Sequence, residues 1–151
     1  MIKKLNLKKL LSEKNVFLTL SGNSKDEIIK EMIHNLAISG LITDEKSALQ
    51  AVIHREQKMS TGMEGGVAIP HGKTDSVDRL IPALALKKEG IDFDSIDKQP
   101  SYIFIMTISP ARASGPHIQF LAEITGLLKN PAKRKELLAA NTWEEVVSVF
   151  T

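Results

Sequence analysis

Apolar residues in this chain occur in two patterns, short unbroken runs and longer stretches in which they recur every three or four positions. Short apolar runs bounded by turn residues indicate buried strands, which we expect at 16–20, 67–69, 80–86 and 102–108. The helical spacing predicts helices that begin near Ser24, Thr43, Ile118, Ala132 and Thr142. Strands and helices that alternate on this scale predict an α/β fold, a three-layer α/β/α sandwich with a central mixed β-sheet flanked by helices, formed by one domain over residues 1–151.

The predicted helix starts carry local signals in the sequence. Ser24 and Thr142 are each followed by glutamate three residues later, which is the pattern of a capping box. Thr43 is expected to begin the second helix, with acidic residues in its first turn where the helix dipole favours them. These signals predict where the three helices begin.

One run, from Gly65 to Gly72, leads a short apolar strand directly into a histidine. Pro70 fixes its own φ and removes a backbone donor, so it is expected to end the strand. Gly72 permits close approach of backbone or ligand on the other side. We therefore expect His71 at the end of a strand, in a loop and facing out of the core.

Of the other histidines, His117 resembles His71 most closely because it also follows a proline where a loop meets a regular element. His34 and His54 lie within predicted helices among polar neighbours, which indicates surface positions. A packed structural role is an alternative for either His71 or His117 taken alone. The two together favour a site.

A cation and a turn lie close in sequence to His71. Arg55 ends the second predicted helix, and a guanidinium near two imidazoles would bind an anion, for which phosphate is the natural candidate. The turn Ser60-Thr61-Gly62 would add hydroxyl and backbone N–H donors to the same oxygens. The alternatives are a solvated Arg-Glu pair on a helix and an ordinary turn.

Composition narrows the classes of function. The formal net charge is only +2, from 20 basic and 18 acidic residues, and aromatic residues are few, which argues against nucleic acid as a partner. The chain has no cysteine, which excludes disulfides, thiolate metal sites and cysteine nucleophiles. Lysines and an asparagine interrupt the N-terminal apolar residues, and no apolar run reaches the ~20 residues of a membrane span. We expect a cytoplasmic protein that does not insert into membranes.

A metal site made by His71, Asp75 and His117 is a competing hypothesis. His71 and Asp75 would share a face only if they lay on a helix, and Pro70 with Gly72 indicates a loop instead. We therefore predict no metal and no cofactor.

Several motifs, in order along almost the whole chain, resemble one family. They are Arg55-Glu56, Ser60-Thr61-Gly62, Gly66 to Lys73, Phe93-Asp94, Asp97 to Pro100 and Pro116 to Leu121. This set is similar to the fructose/mannitol-type (type 2) enzyme IIA domain of the bacterial phosphoenolpyruvate-dependent sugar phosphotransferase system. The resemblance implies a phosphotransferase in which His71 is the phosphoryl acceptor, as tele-phosphohistidine, with His117 as its active-site neighbour and Arg55 as the group that stabilises phosphate charge.

The resemblance also implies partners. HPr would donate the phosphoryl group and an enzyme IIB would accept it, most simply for uptake of a fructose-family sugar. We expect Met59, Met63 and Phe120, together with Val67 and Ile69, to form an apolar docking surface around His71. The alternative is a nitrogen-related regulatory enzyme IIA, in which the phosphorylation state controls binding to regulators and no sugar is moved.

Overall fold

The computed structural model describes residues 6–113 and 115–150, and in these ranges a five-stranded sheet lies at the centre. The strands are β1 (Val16–Phe17), β2 (Val67–Ala68), β3 (His71–Lys73), β4 (Ile81–Ile91) and β5 (Ser101–Ser109). The order across the sheet is β1-β4-β5-β2, with β3 also paired to β5. Only β4 and β5 pair antiparallel, so the sheet is mixed as predicted.

Helices cover both faces of this sheet. They are α1 (Leu7–Leu10), α2 (Lys25–Ile38), α3 (Glu45–Lys58), α4 (Gly115–Leu128), α5 (Pro131–Ala139) and α6 (Trp143–Val149), and a single 3-10 turn spans Glu64–Gly66. Alternate residues of the central strands face opposite sides, so Ala85 and Phe104 pack with α2 and α3 while Leu84 and Ile105 pack with α1, α4, α5 and α6. The two apolar clusters confirm the three-layer α/β/α sandwich.

The strand that delivers His71 differs from the prediction. Pro70 interrupts the strand and does not end it, because β2 and β3 both pair parallel with β5 in one register, Val67 opposite Ile103 and His71 opposite Thr107. The carbonyl of Pro70 still accepts the Thr107 N–H at 3.3 Å, although Pro70 itself has no N–H to donate. His71 is thus the first residue of a strand rather than part of a loop.

Helix starts follow the capping signals closely. The side chains of Ser24 and Thr142 accept the N–H groups of Glu27 and Glu145, as predicted. The second predicted helix begins one residue later than expected, because Asp44 and not Thr43 is its N-cap. Helix α4 begins at 115, before the predicted start at 118. The short helix α1 was not expected from the sequence.

Two strand boundaries were also misplaced. The first strand is shorter than the predicted 16–20, and β4 continues to Ile91, beyond the predicted end at Leu86. The extension contains a register shift between Leu86 and Ile91, where the polar Lys88 and Glu89 are exposed. Within the residues that the structure describes, no helix combines the length and apolar character needed to span a bilayer.

Candidate active site

Two imidazole rings meet at the edge where β3 and β5 approach the start of α4. The ring centroids of His71 and His117 are 4.9 Å apart, with an interplanar angle of 44°. Strand β3 places His71 opposite Thr107 of β5, and the first turn of α4 carries His117 above the same strand. His71 is half-buried, whereas His117 is only 6% exposed. The structure therefore brings together the two histidines that follow prolines.

A backbone carbonyl determines which nitrogen of His71 carries the proton. Nδ1 lies 2.9 Å from the carbonyl oxygen of Ile69. A carbonyl only accepts hydrogen bonds, so Nδ1 is the protonated nitrogen and Nε2 of the neutral ring keeps its lone pair. This assignment leaves Nε2 as the nucleophilic atom.

The pKa of His71 is lowered from its ordinary value near 6.5. Burial is the main cause, and the positive charges of Arg55 and Lys73 act in the same direction. The hydrogen bond to Ile69 and the negative charge of Glu56 oppose the shift. A lowered pKa keeps the imidazole neutral near pH 7, the state in which it is a nucleophile.

His117 is neutral for related reasons. Its Nδ1 is 2.7 Å from the hydroxyl oxygen of the buried Thr107. Burial, followed by the charges of His71 and Lys73, lowers the pKa of His117 to about 4. With Nδ1 engaged by Thr107, Nε2 is the nitrogen left for a ligand.

Arg55 supplies a cation close to this pair. It lies in the last turn of α3, and its Nη1 donates a 2.8 Å hydrogen bond to the carbonyl of Met59. Its positive charge contributes to the lowered pKa of His71, after the larger effect of burial. The contact to Met59 uses part of the guanidinium fork, and the other N–H groups are able to bind an anion.

The turn Ser60-Thr61-Gly62 has internal partners for its donors. The Ser60 hydroxyl donates to the carbonyl of Phe93 at 2.7 Å, and the N–H of Gly62 donates to the Ser60 hydroxyl at 3.1 Å. Both the N–H and the hydroxyl of Thr61 donate to the carboxylate of Glu56. Internal partners therefore engage the hydroxyls of Ser60 and Thr61 and the N–H groups of Thr61 and Gly62, which the sequence offers as donors to phosphate.

The predicted docking residues divide into exposed and buried groups. Met59 is 71% exposed and Met63 42%, as a docking role requires, and Ile118 beside His117 is 63% exposed. Phe120 is completely buried in the apolar cluster beneath α4, so its predicted docking role is wrong. Phe120 shares the buried face of α4 with His117, Ile124 and Leu128. Packing against the sheet determines which face of this largely apolar helix is buried.

Two residues with polar contacts in the site were missed from sequence. In the sequence, Glu56 belongs to the Arg55-Glu56 motif but has no predicted role of its own, and a solvated pair is the alternative. In the structure it is buried and binds Thr61. Thr107 lies within an apolar strand run and positions His117. A polar residue within an otherwise apolar strand is a sequence signal that could have identified Thr107, because a buried hydroxyl requires a hydrogen-bond partner.

The competing metal hypothesis requires Asp75 to lie with His71 and His117, but Asp75 has other partners. Asp75 accepts hydrogen bonds from the Ala111 N–H at 3.1 Å and from Arg112 at 3.3 Å. Among residues 6–113 and 115–150, no group of three or more histidine, cysteine, aspartate or glutamate side chains is placed to hold a metal ion.

Comparison with known proteins identifies the family. Residues 9–151 match the family described as "Phosphoenolpyruvate-dependent sugar phosphotransferase system, EIIA 2". The chain belongs to this family. EIIA components of that system are phosphotransferase phosphoryl carriers, and the match confirms the resemblance seen in the sequence motifs.

Two relatives are named for fructose. The chain is 36% identical over 121 residues to the PTS system fructose-specific EIIA component of Haloferax volcanii, covering 80% of this chain and 79% of that protein. It is 30% identical over 146 residues to the PTS system fructose-specific EIIABC component of Bacillus subtilis. This second match covers 97% of the chain but only 23% of the longer Bacillus protein.

Solved structures share the fold. The nitrogen regulatory protein IIA-Ntr from Neisseria meningitidis superposes with a TM-score of 0.83 at 25% identity, covering 96% of this chain and 99% of that one. A complex of enzyme IIAMtl with phosphorylated enzyme IIBMtl from Escherichia coli contains a chain with a TM-score of 0.79 at 22% identity, covering 93% and 96%. At this identity the second likeness establishes the fold alone.

Proposed function

We propose that this chain carries a phosphoryl group on Nε2 of His71, taking it from phospho-HPr and passing it to an enzyme IIB in the cytoplasm. The observation that carries the proposal is the hydrogen bond from Nδ1 of His71 to the Ile69 carbonyl, which leaves the Nε2 lone pair free beside a second neutral imidazole. The family match supports the same chemistry.

The transfer step follows from this geometry. The Nε2 lone pair attacks phosphorus as the bond to the donor imidazole breaks in line, and the donor keeps that electron pair. No proton has to leave His71, because Nδ1 holds its proton throughout. When Nδ1 of His117 accepts from the Thr107 hydroxyl, its Nε2 carries the proton, so this N–H and the Arg55 guanidinium donate hydrogen bonds that stabilise the charge on the phosphoryl oxygens. The residues proposed here need no metal or cofactor.

Fructose-family sugar uptake is the physiological role we propose. The Haloferax and Bacillus relatives are both named for fructose, and the Escherichia complex shows a protein of this fold engaged with phosphorylated IIB. A regulatory role is the second candidate, because the Neisseria protein named as a nitrogen regulator has a TM-score of 0.83. Reconstitution with candidate IIB proteins separates the two, since only the uptake role predicts onward transfer to a sugar-specific IIB.

The decisive test is phosphorylation by phosphoenolpyruvate, enzyme I and HPr. We expect an acid-labile, alkali-stable phosphate on the wild type and none on His71→Ala. His34→Ala is the matched control, because His34 is an exposed histidine paired with Glu45 at 3.0 Å and should remain irrelevant to transfer. Phosphate retained by His71→Ala, or absent from the wild type, would show the proposal to be wrong.

A further inference from the structure

A buried carboxylate lies next to Arg55 in the last turn of α3. The side chain of Glu56 is only 5% exposed. Its two oxygens accept the Thr61 N–H at 2.7 and 3.1 Å, one of them also accepts the Thr61 hydroxyl at 2.6 Å, and the Lys25 ammonium is 3.7 Å away. Removing a carboxylate from water is costly unless it is paired and hydrogen-bonded, and Glu56 satisfies both conditions. Through these contacts Glu56 holds the last turn of α3 to the segment that contains Thr61.

From Thr61 the contacts continue to the strand that precedes His71. The carbonyl of Thr61 accepts the N–H of Ile69 at 3.0 Å. Gly62 forms an antiparallel bridge with Ala68, and the Met63 N–H donates to the Val67 carbonyl at 2.8 Å. Residues 61–63 therefore run beside 67–69 as a short hairpin-like pair held to α3 by Glu56.

Ile69 links this pair to the reactive ring. Its N–H is bound to Thr61, and its carbonyl accepts the Nδ1 proton of His71 at 2.9 Å. The position of this carbonyl determines both the ring orientation and the tautomer, because it is the acceptor for Nδ1. A continuous set of hydrogen bonds thus runs from Glu56 through Thr61 and Ile69 to His71.

We propose that Glu56 is a positioning residue for the phosphoryl transfer at His71, holding the Ile69 carbonyl in place through Thr61 so that the lone pair resides on Nε2. The kinetic consequence rests on the function proposed above, whereas the tautomer is a property of the unphosphorylated protein. The negative charge of Glu56 also raises the pKa of His71, whereas the positive charges of Arg55 and Lys73 lower it.

Glu56→Gln tests this role because it keeps the shape of the side chain and replaces one acceptor oxygen with an amide donor facing the Thr61 N–H. We expect ¹⁵N NMR of the imidazole to show the Nε2-protonated tautomer newly populated. In the phosphotransfer assay we expect kcat to fall about tenfold with the KM for phospho-HPr unchanged, since misplacement affects orientation and not docking.

Glu31→Gln is the matched control. Glu31 also uses its carboxylate to hold a turn, accepting the N–H groups of Ser21 at 2.9 Å and Gly22 at 2.8 Å, but its contacts do not lead to His71. This variant should lose some stability, less than Glu56→Gln because Glu31 is only half-buried, while the His71 tautomer and kcat stay unchanged.

Thr61→Val provides a second test if Glu56→Gln does not fold. It removes the Thr61 hydroxyl that donates to Glu56 and retains the backbone N–H that also donates to it. We expect a smaller change in the same direction, with Thr61→Ser restoring wild-type behaviour. Full Nδ1 protonation and normal kcat in these variants, even with a lower melting temperature, would overturn the positioning role. A wild type that accepts no phosphate would instead refute the proposed function and leave the tautomer measurement valid.

Discussion

At the scale of single residues, the two imidazoles of the site differ in depth and in partner. His71 is half-buried and donates to a carbonyl, while His117 is buried and contacts the hydroxyl of Thr107. A carbonyl only accepts hydrogen bonds, so it fixes the tautomer of the imidazole, whereas a hydroxyl can donate or accept and is compatible with either tautomer. This difference suits one ring to act as a nucleophile of fixed orientation and the other to adjust to an approaching phosphoryl group.

Burial of His117 predicts a pH-dependent loss of stability. Its pKa is near 6.5 in the unfolded chain and about 4 in the folded protein, so between these values the unfolded state binds the additional proton. The free energy of unfolding should therefore fall as the pH drops from 6.5 to 4, by up to about 3 kcal/mol from this group.

Urea titrations of wild type and His117→Gln at several pH values measure this effect. Glutamine does not titrate, so the stability difference between the two proteins should shift in favour of the variant as the pH falls through this window. Parallel curves would show that His117 has an ordinary pKa.

At the scale of elements, close packing of β3 on α3 determines where His71 lies. A Cβ added to Gly72 would come within 2.7 Å of the Val52 nitrogen and 2.8 Å of the Ala51 carbonyl carbon, both in the backbone of α3. Backbone atoms of a packed helix cannot rotate away as a side chain does. Glycine at this position is thus required by the approach of strand to helix.

We expect Gly72→Ala to lower the free energy of unfolding by roughly 1–3 kcal/mol, as overpacking does, and to slow phosphoryl transfer by displacing His71. Gly126→Ala is the matched control, because nothing lies within 4 Å of its added Cβ on α4 and alanine favours the helix by about 1 kcal/mol. Chemical denaturation measures the stability of the two variants, and the phosphoryl-transfer assay measures their activity. Normal stability and transfer in Gly72→Ala would contradict the packing argument.

Across the whole molecule, several exposed apolar side chains belong to the segments that lead to the two histidines. Met59, Met63 and Ile118 are all exposed. Met59 follows α3, and its carbonyl accepts a hydrogen bond from Arg55, so this residue lies next to the cation proposed to bind phosphate. A carrier that meets a donor and an acceptor in turn requires such an accessible and adaptable surface.

Met59→Ser should raise the KM for phospho-HPr about fivefold, equivalent to roughly 1 kcal/mol of lost apolar burial, with kcat little changed. The backbone contact to Arg55 is retained in this variant. Ile38→Ser is the control, because Ile38 is an equally exposed apolar residue, 74% exposed, that lies away from the site. It is at the opposite end of α2 from Lys25, the residue that contacts Glu56, about 20 Å away along the helix. Equal effects of the two substitutions in the transfer assay would argue against docking at Met59.

Local sequence was enough to predict the helix starts at Ser24 and Thr142, the mixed α/β architecture and the pairing of His71 with His117 as candidates. Caps and hydrophobic periodicity depend on neighbours within a few positions, so the local sequence contains the information.

Packing of the layers was needed to establish that β3 resumes after Pro70, that Phe120 faces the core and that Glu56 is buried. Each depends on contacts between residues distant in sequence: β5 provides hydrogen-bond partners on both sides of the proline, and Thr61 and Lys25 provide the donors that permit burial of a carboxylate. Sheet register and the pairing of buried charges are properties of the assembled fold, because their partners are brought together only when the layers pack.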